Sequence, residues 1–326
     1  MPLVSVIVPC YNEETTIRPL LESLFHQTIS SDQLEVVIAD GMSSDRTVEQ
    51  ITCFMSENPY LMVKVVTNEK RTIPSGLNRA IRAARGEYIV RLDAHCIPRC
   101  DYIERSVADL EQGIGDIVGG VWEIRPGGKG WLSRGIAMAA SNPLAVGDAR
   151  YRYTDRAGYV DTVPFGAYRR SLVEKIGYYN EDLLTNEDYE FNTRVRQSGG
   201  KVWLNPEIRS VYIARANLLS LARQYWRYGY WKVRMLRLYP KTIRWRQALP
   251  PAFVASLLAL GILSIWFAGA RWLLSAELVI YCILLGLVGL QMAIKHADLG
   301  LIVGMPLAIM VMHLSWGSAF LWSMIN

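Results

Sequence analysis

Along the first part of the chain, apolar runs alternate with helically periodic segments. "VSVIVPC" is a continuous apolar run that opens into the polar loop "YNEE". "TIRPLLESLFHQ" follows with helical periodicity, then a second apolar run, "LEVVIAD", which ends at Asp40 and the turn-rich "GMSSDRT". The pattern goes on to predict a helix over about 46–57 and a strand at "MVKVVTN". A helix is expected at "IPSGLNRAIRAARG", with Pro near its first turn and Gly86 at its end, and a strand at "EYIVRLD". Strands that are apolar throughout and alternate with helices predict an α/β fold with a Rossmann-like, mostly parallel sheet covered on both faces. In such sheets ligands bind beyond the carboxyl ends of the strands. Those ends carry residues 9–13, Asp40, residues 68–71 and residues 93–95. Polar groups from four strand ends are therefore expected around one crevice.

The pattern changes near residue 245. Residues 247–270 and 299–325 contain no Asp, Glu, Lys or Arg, and 272–294 is apolar apart from Glu277 and Gln291. Each run exceeds the roughly 20 residues that a helix needs to cross a bilayer. Three transmembrane helices are expected, the first two joined by a tight turn around 269–271. Lys241, Arg244 and Arg246 precede the first run, Lys295 and His296 follow the second, and Arg271 alone sits between them. By the positive-inside rule the N-terminal domain is cytoplasmic, on a multi-pass protein of the plasma or inner membrane, and residue 326 lies outside. The start "PLVSVIVPCYNEE" lacks the basic n-region of a cleavable signal, which agrees. Glu277 and His313 are costly inside spans and receive no role here.

Charge sharpens the region between. From Ile208 to Ala276 there is no Asp or Glu, and between Arg209 and Arg246 ten Lys and Arg interleave with Tyr and Trp. Such a stretch could bind nucleic acid. Directly before membrane helices it reads instead as an amphipathic helix in the bilayer interface, with no nucleic-acid partner. The domains expected are thus 1–207, an interfacial region at 208–246, and a membrane domain at 247–326. The five Cys have no disulfide-framework spacing. His95, Cys96 and Cys100 lack a fourth ligand at zinc-finger spacing.

Two clusters carry candidate chemistry. Asp93 and His95, at i and i+2 on an extended chain, point to one side. No Walker-type or Gly-x-Gly-x-x-Gly loop is present to receive phosphates. A divalent cation held by Asp93 and His95 is the simplest way to neutralise them. Downstream, Asn186 is a suitable N-cap, with Glu187 and Asp188 in the first turn of a helix ending at Gly199. Residues alone leave two readings of that pair: complements to a helix dipole, or a general base.

The ordered set "VSVIVPCYNEE", "IADGMSSDRT", "GLNRAIRAARGEYIVRLDAH" and "FGAYRRSLVEKIGYYNEDLLTNEDYEFNTRVRQSGGKVWLNPE" resembles the family 2 inverting glycosyltransferases of GT-A fold, over roughly residues 3–210. More narrowly it resembles the succinoglycan-type β-glucosyltransferases of bacterial exopolysaccharide assembly. The resemblance implies transfer from a UDP-sugar, UDP-glucose for example, with inversion and Mn²⁺ or Mg²⁺ as cofactor. It places Pro9, Tyr11, Glu13, Asp40, Arg71 and Asp93 at the donor nucleotide, with Asp93 and His95 as metal ligands. Most members carry a second Asp where His95 stands. That exchange removes one negative charge and favours Mn²⁺ over harder cations. Asp188 matches the family's base, and Glu187 an acceptor-contacting partner. Phe165, Gly166 and Tyr168 fall where an acceptor sugar is met, core packing being the alternative for Phe165. "QYWRYG" is similar to the Gln-x-x-Arg-Trp motif of processive relatives, which makes Gln224 and Arg227 acceptor or diphosphate contacts.

The acceptor expected is a polyprenyl-linked saccharide at the bilayer. Alternatives are transfer directly to polyprenyl phosphate, as in dolichyl-phosphate-mannose synthases, or a non-catalytic scaffold subunit. A homo-oligomer is left open.

Overall fold

A computed structural model of the protein describes residues 2–326. The chain divides into two compact units, one of residues up to Glu123 with Tyr153–Tyr212, the other of Ile124–Arg152 with Ile213–Asn326.

The first unit begins with β1 (Val4–Cys10), α1 (Ile17–Phe25), β2 (Leu34–Asp40), α2 (Thr47–Glu57), β3 (Met62–Thr67), α3 (Ile73–Ala83) and β4 (Tyr88–Arg91). Strands β3, β2, β1 and β4 lie side by side in that order, all parallel, with Cys10 opposite Asp40 and Asp40 opposite Thr67. The carboxyl ends of β3, β2 and β1 are therefore level, while β4 ends at Arg91, opposite Ile7. Helix α1 turns Ile17, Leu20, Leu21 and Leu24 inward onto Val4, Val6 and Val8, where all are essentially excluded from water. The runs of β1, β2 and β4 are covered on both faces, as expected, whereas the edge strand β3 is half-exposed. Helix α3 has its Pro in the first turn but stops at Ala83, three residues short of Gly86.

Beyond β4 the sheet becomes antiparallel. The short β5 (Ile97–Pro98), then α4 (Tyr102–Glu111) and β6 (Ile117–Arg125), precede an excursion into the second unit through α5 (Trp131–Ala140) and α6 (Pro143–Val146). The chain returns through β7 (Gly158–Tyr159), β8 (Ala167–Arg169), α7 (Arg170–Ile176), α8 (Glu187–Gln197) and β9 (Val202–Ile213). The sheet order is β3-β2-β1-β4-β8-β6-β9-β5, with β7 on β9, and β8 runs against both β4 and β6. The sheet is mixed, and only its first half is the parallel arrangement the apolar runs predict. Strands of two or three residues leave no periodic signature in sequence.

The second unit adds α9 (Leu218–Leu238), α10 (Trp245–Leu263), α11 (Ala268–His296) and α12 (Leu301–Ile325). The last three are long and apolar enough to cross a membrane, with mean hydropathies of 1.4, 2.3 and 1.6. The turn between α10 and α11 lies at 264–267, before the 269–271 expected, because Gly269 and Arg271 continue the next helix. Helix α12 is the centre of this unit and packs on α5, α9, α10 and α11. Gly135 of α5 and Gly304 of α12 touch backbone to backbone, and a Cβ on Gly135 would fall 2.4 Å from Gly304. Residues 124–152, which the sequence puts inside the first domain, belong here because α5 buries Ile136, Ala139 and Ala140 against α12. Several polar groups of the apolar helices are paired. Ser256 donates to Glu277, and His313 bridges the Tyr281 hydroxyl at 3.0 Å and the Leu144 carbonyl at 3.1 Å.

Candidate active site

In the first unit, the loops after β1 and β2 are stitched together. The Asn12 and Glu13 amides donate to Ser43 Oγ (2.8 Å) and Thr47 Oγ1 (2.7 Å), and Asn12 Oδ1 accepts from the Ser44 amide (2.9 Å). Asp40, buried at its strand end, accepts from the Ser43 hydroxyl (2.6 Å) and amide (3.1 Å). Tyr11 is 44% exposed, and the Arg71 guanidinium lies 5.6 Å from its ring centre. A flat aromatic and a cation thus stand open beside a buried carboxylate, a combination suited to a base and its phosphates.

Backbone strain marks the same loops. Among the described residues, non-glycine residues with positive φ are Asn12, Met42, Arg71, Phe165 and Asn186 in the first unit and Ala297 in the second. All five of the former lie in loops that carry predicted site residues. Such conformations cost of order 1–3 kcal/mol each and gather where function holds them. Asn186 is predicted from the sequence to cap α8 through its side chain. It takes φ 69° instead and makes no such capping bond. The left-handed residue turns the chain so that Glu187 and Asp188 open the helix.

One residue joins the two clusters. Arg91, the last residue of β4, is only 3% exposed. Its guanidinium meets Asp93 at 3.1 Å, Glu187 at 2.9 Å, and Asp188 in a third ion pair. Burial works against its charge, but the Asp93 and Glu187 carboxylates outweigh burial, and Arg91 stays a cation. Phe165 lies over it at 6.0 Å. Asp93 and Asp188, far apart in sequence, are thereby held by one rigid fork. Sequence reasoning missed Arg91. The signal was a cation at the end of an otherwise apolar strand, where burial demands partners.

His95 Nδ1 lies 3.1 Å from Glu13 Oε1, which orients the ring between the first and fourth strand ends. Among the described residues, no three His, Cys, Asp or Glu side chains come together as a self-sufficient metal cage. Asp93 and His95 are partly exposed, at 23% and 44% for their side chains. Two protein donors with open positions fit a cation whose coordination is completed by a diphosphate.

Other predicted contacts fare differently. Tyr168 is sealed in the core against Tyr179 and Phe191, so its ring has no free face for a sugar. A Cβ at Gly166 would strike Ile117 at 2.8 Å, so this glycine serves strand packing and not a ligand. Phe165 is buried, packing on Trp122. Trp122 in turn stacks on Tyr212 at 4.3 Å, and both are partly exposed. This platform was not foreseen, since the residues lie on different strands. Gln224 and Arg227 are on α9 of the second unit. Gln224 is buried there, accepting from Arg215 and donating to Tyr228, while Arg227 is exposed.

Residues 5–177 match the model of glycosyl transferase family 2, so the chain belongs to that family. It is 28% identical over 319 residues to the succinoglycan biosynthesis protein ExoA of Rhizobium meliloti (strain 1021), covering 97% of this chain and 93% of that one. It is also 28% identical over 248 residues to the dolichyl N-acetyl-alpha-D-glucosaminyl phosphate 3-beta-D-2,3-diacetamido-2,3-dideoxy-beta-D-glucuronosyltransferase of Methanococcus voltae, covering 73% and 75%. The crystal structure of the mannosyltransferase PcManGT from Pyrobaculum calidifontis, with GDP-Man and Mn²⁺, shares the fold. It has a TM-score of 0.67 and 20% identity, covering 98% of this chain and 87% of that one.

Proposed function

We propose that the protein is an inverting glycosyltransferase that moves a hexose from a UDP-sugar to a lipid-linked saccharide, forming a β-linkage in polysaccharide or glycoconjugate assembly. The convergence of Asp93, Glu187 and Asp188 on buried Arg91 supports it most, because that arrangement fixes a donor-side and an acceptor-side carboxylate together. Asp188 takes the proton of the acceptor hydroxyl, whose oxygen attacks the anomeric carbon on the face opposite the nucleotide. The bond to UDP breaks and its electron pair leaves with the diphosphate. Held by Asp93 and His95, Mn²⁺ or Mg²⁺ would supply the positive charge that stabilises this leaving group. Tyr11, Arg71, Asp40 and Glu13 receive the nucleotide. Ring stacking on the acceptor side falls to Trp122 and Tyr212 in place of Tyr168.

The names of two relatives, one in succinoglycan biosynthesis and one acting on a dolichyl-linked sugar, favour a lipid-linked acceptor. The cations flanking the apolar helices favour a cytoplasmic catalytic unit.

The test uses purified full-length protein with UDP-sugars and polyprenyl-diphosphate saccharides. Asp188→Asn is expected to lower transfer about 10²–10⁴-fold, the worth of a general base. It should still be stabilised against heat by UDP with Mn²⁺. Transfer at the wild-type rate would remove Asp188 from the role. Transfer to bare polyprenyl phosphate alone would replace the saccharide acceptor.

A further inference from the structure

We infer that the chain crosses the bilayer twice, through the α10–α11 hairpin, while α12 lies in the membrane interface at the base of that hairpin. This rests on reading α10 and α11 as membrane helices, and not on the transfer chemistry.

The contacts of α12 with the hairpin run from its base to about its middle, and none of those below reaches the half nearer the turn. On α10 they involve Gln247, whose carbonyl accepts from the Trp316 indole at 3.3 Å, and Pro250 and Val254, which abut Gly317. On α11 they involve Tyr281, bonded to His313, and Gly289, against Ile302 and Pro306. The buried residues mostly follow suit: Gln247, Pro251 and Val254 on α10, and Leu285, Gly289 and Ala293 on α11, with the small Ala270 alone buried near the tip. Toward the turn at 264–267, Leu258, Ile262, Leu273, Val279 and Ile280 are each more than half exposed. A third helix spanning beside the first two would cover part of this surface. None does among the described residues. Trp266, Phe267 and Trp272 ring the tip, as side chains at a far headgroup layer do.

The rest of α12 is lined by charged helices. Gly229 of α9 meets the Trp316 backbone, where a Cβ would fall 2.4 Å from the carbonyl oxygen. Two turns further along both helices, the Arg237 guanidinium donates to the Ser323 carbonyl at 2.9 Å. Helices α9 and α12 thus run side by side in the same direction. Helix α9 carries Arg223, Arg227, Arg234 and Arg237, with Arg223 and Arg227 exposed. On the other side, Arg134 of α5 pairs with Asp298 through two bonds, of 2.5 and 3.1 Å. Asp148, just beyond α6, pairs with Arg244 and Arg246, while α6 itself touches His313 at the middle of α12.

Were α12 to cross, α9 would be carried through the hydrocarbon with it, and each of its central cations would be costly there. Lying in the interface, the same pair places the Arg row at phosphate depth and the apolar α12 beneath it. Residue 326 then returns to the side of Arg244 and Lys295, not to the far side that three crossings require.

Labelling decides this. In full-length protein with Cys53, Cys100 and Cys282 replaced by Ser, Gly269→Cys and Asn326→Cys are introduced singly. Spheroplasts of an expressing bacterium are treated with a membrane-impermeant maleimide, before and after detergent lysis. Gly269→Cys should label before lysis and Asn326→Cys only after it, with both variants retained in carbonate-washed membranes. Labelling of Asn326→Cys before lysis overturns the topology, as does protection of Gly269→Cys. Loss of the protein to the soluble fraction overturns the membrane reading itself.

Discussion

Arg91 is the residue on which the site's geometry turns, and two substitutions separate its charge from its shape. Arg91→Ala strands three buried or partly buried carboxylates. Losing one partner of such a cluster costs about 3–5 kcal/mol, and a clear fall in melting temperature should show it. Arg91→Lys keeps the charge but not the planar fork, which alone reaches Asp93, Glu187 and Asp188 at once. Its melting temperature should stay near wild type while kcat falls about tenfold or more, since small misplacements of reacting groups carry penalties of that order. Wild-type kcat for Arg91→Lys would reduce Arg91 to a structural ion pair. How much of this was legible varies by residue. Asp40, Asp93 and Glu13 could be placed because each ends or follows an apolar run. Arg91 escaped because the end of a run reads as its polar boundary, and its partners on α8 are invisible until the chain folds. Tyr168 and Gly166 were misplaced for the converse reason: short motifs carry no sign of which side chains point inward.

At the scale of elements, two joints make distinct predictions. Between α5 and α12 the backbones touch at Gly135 and Gly304, so Gly135→Leu must drive the helices apart. Overpacking of this kind costs about 1–3 kcal/mol or more, read as a lowered melting temperature in detergent. Asp298→Asn, at a solvent-screened ion pair, should lower the melting temperature far less. An equal effect from both would make the ion pair and not the close approach the joint. The second joint ties β1, β2 and the end of α3 through Glu35. Burial raises the pKa of its carboxyl, but the Ser5 hydroxyl and the Arg85 amide and guanidinium outweigh that and hold it below its ordinary value. A depressed folded-state pKa stabilises fully above the ordinary carboxylate value, and the contribution is lost as pH falls through the folded value. Melting temperature should therefore decline below about pH 4, and less so in Glu35→Gln, which is already weaker by about 1–3 kcal/mol at neutral pH. Parallel acid limbs in the two proteins would place the acid sensitivity elsewhere.

At the scale of the molecule, the two units are interleaved in sequence. The first is interrupted by Ile124–Arg152, and the sequence pattern hides this. The stretch "LSRGIAMAA" falls within the domain expected at 1–207, and its partner α12 within the membrane domain expected at 247–326. Only the contact shows that each covers the other. A cut at the boundary the composition shift points to would therefore not release a self-contained catalytic domain. In a 1–212 truncation, α5 keeps Ile136, Ala137, Ala139 and Ala140 but loses α12, which buries them in the full chain. A bared apolar face of this kind promotes association. The truncation is expected to elute as aggregates in size exclusion with light scattering, and Ile136→Glu, which breaks the apolar face, should shift it toward monomer. A monodisperse 1–212 monomer that melts cooperatively would mean that α5 needs no cover, and that the excursion belongs to the catalytic unit after all.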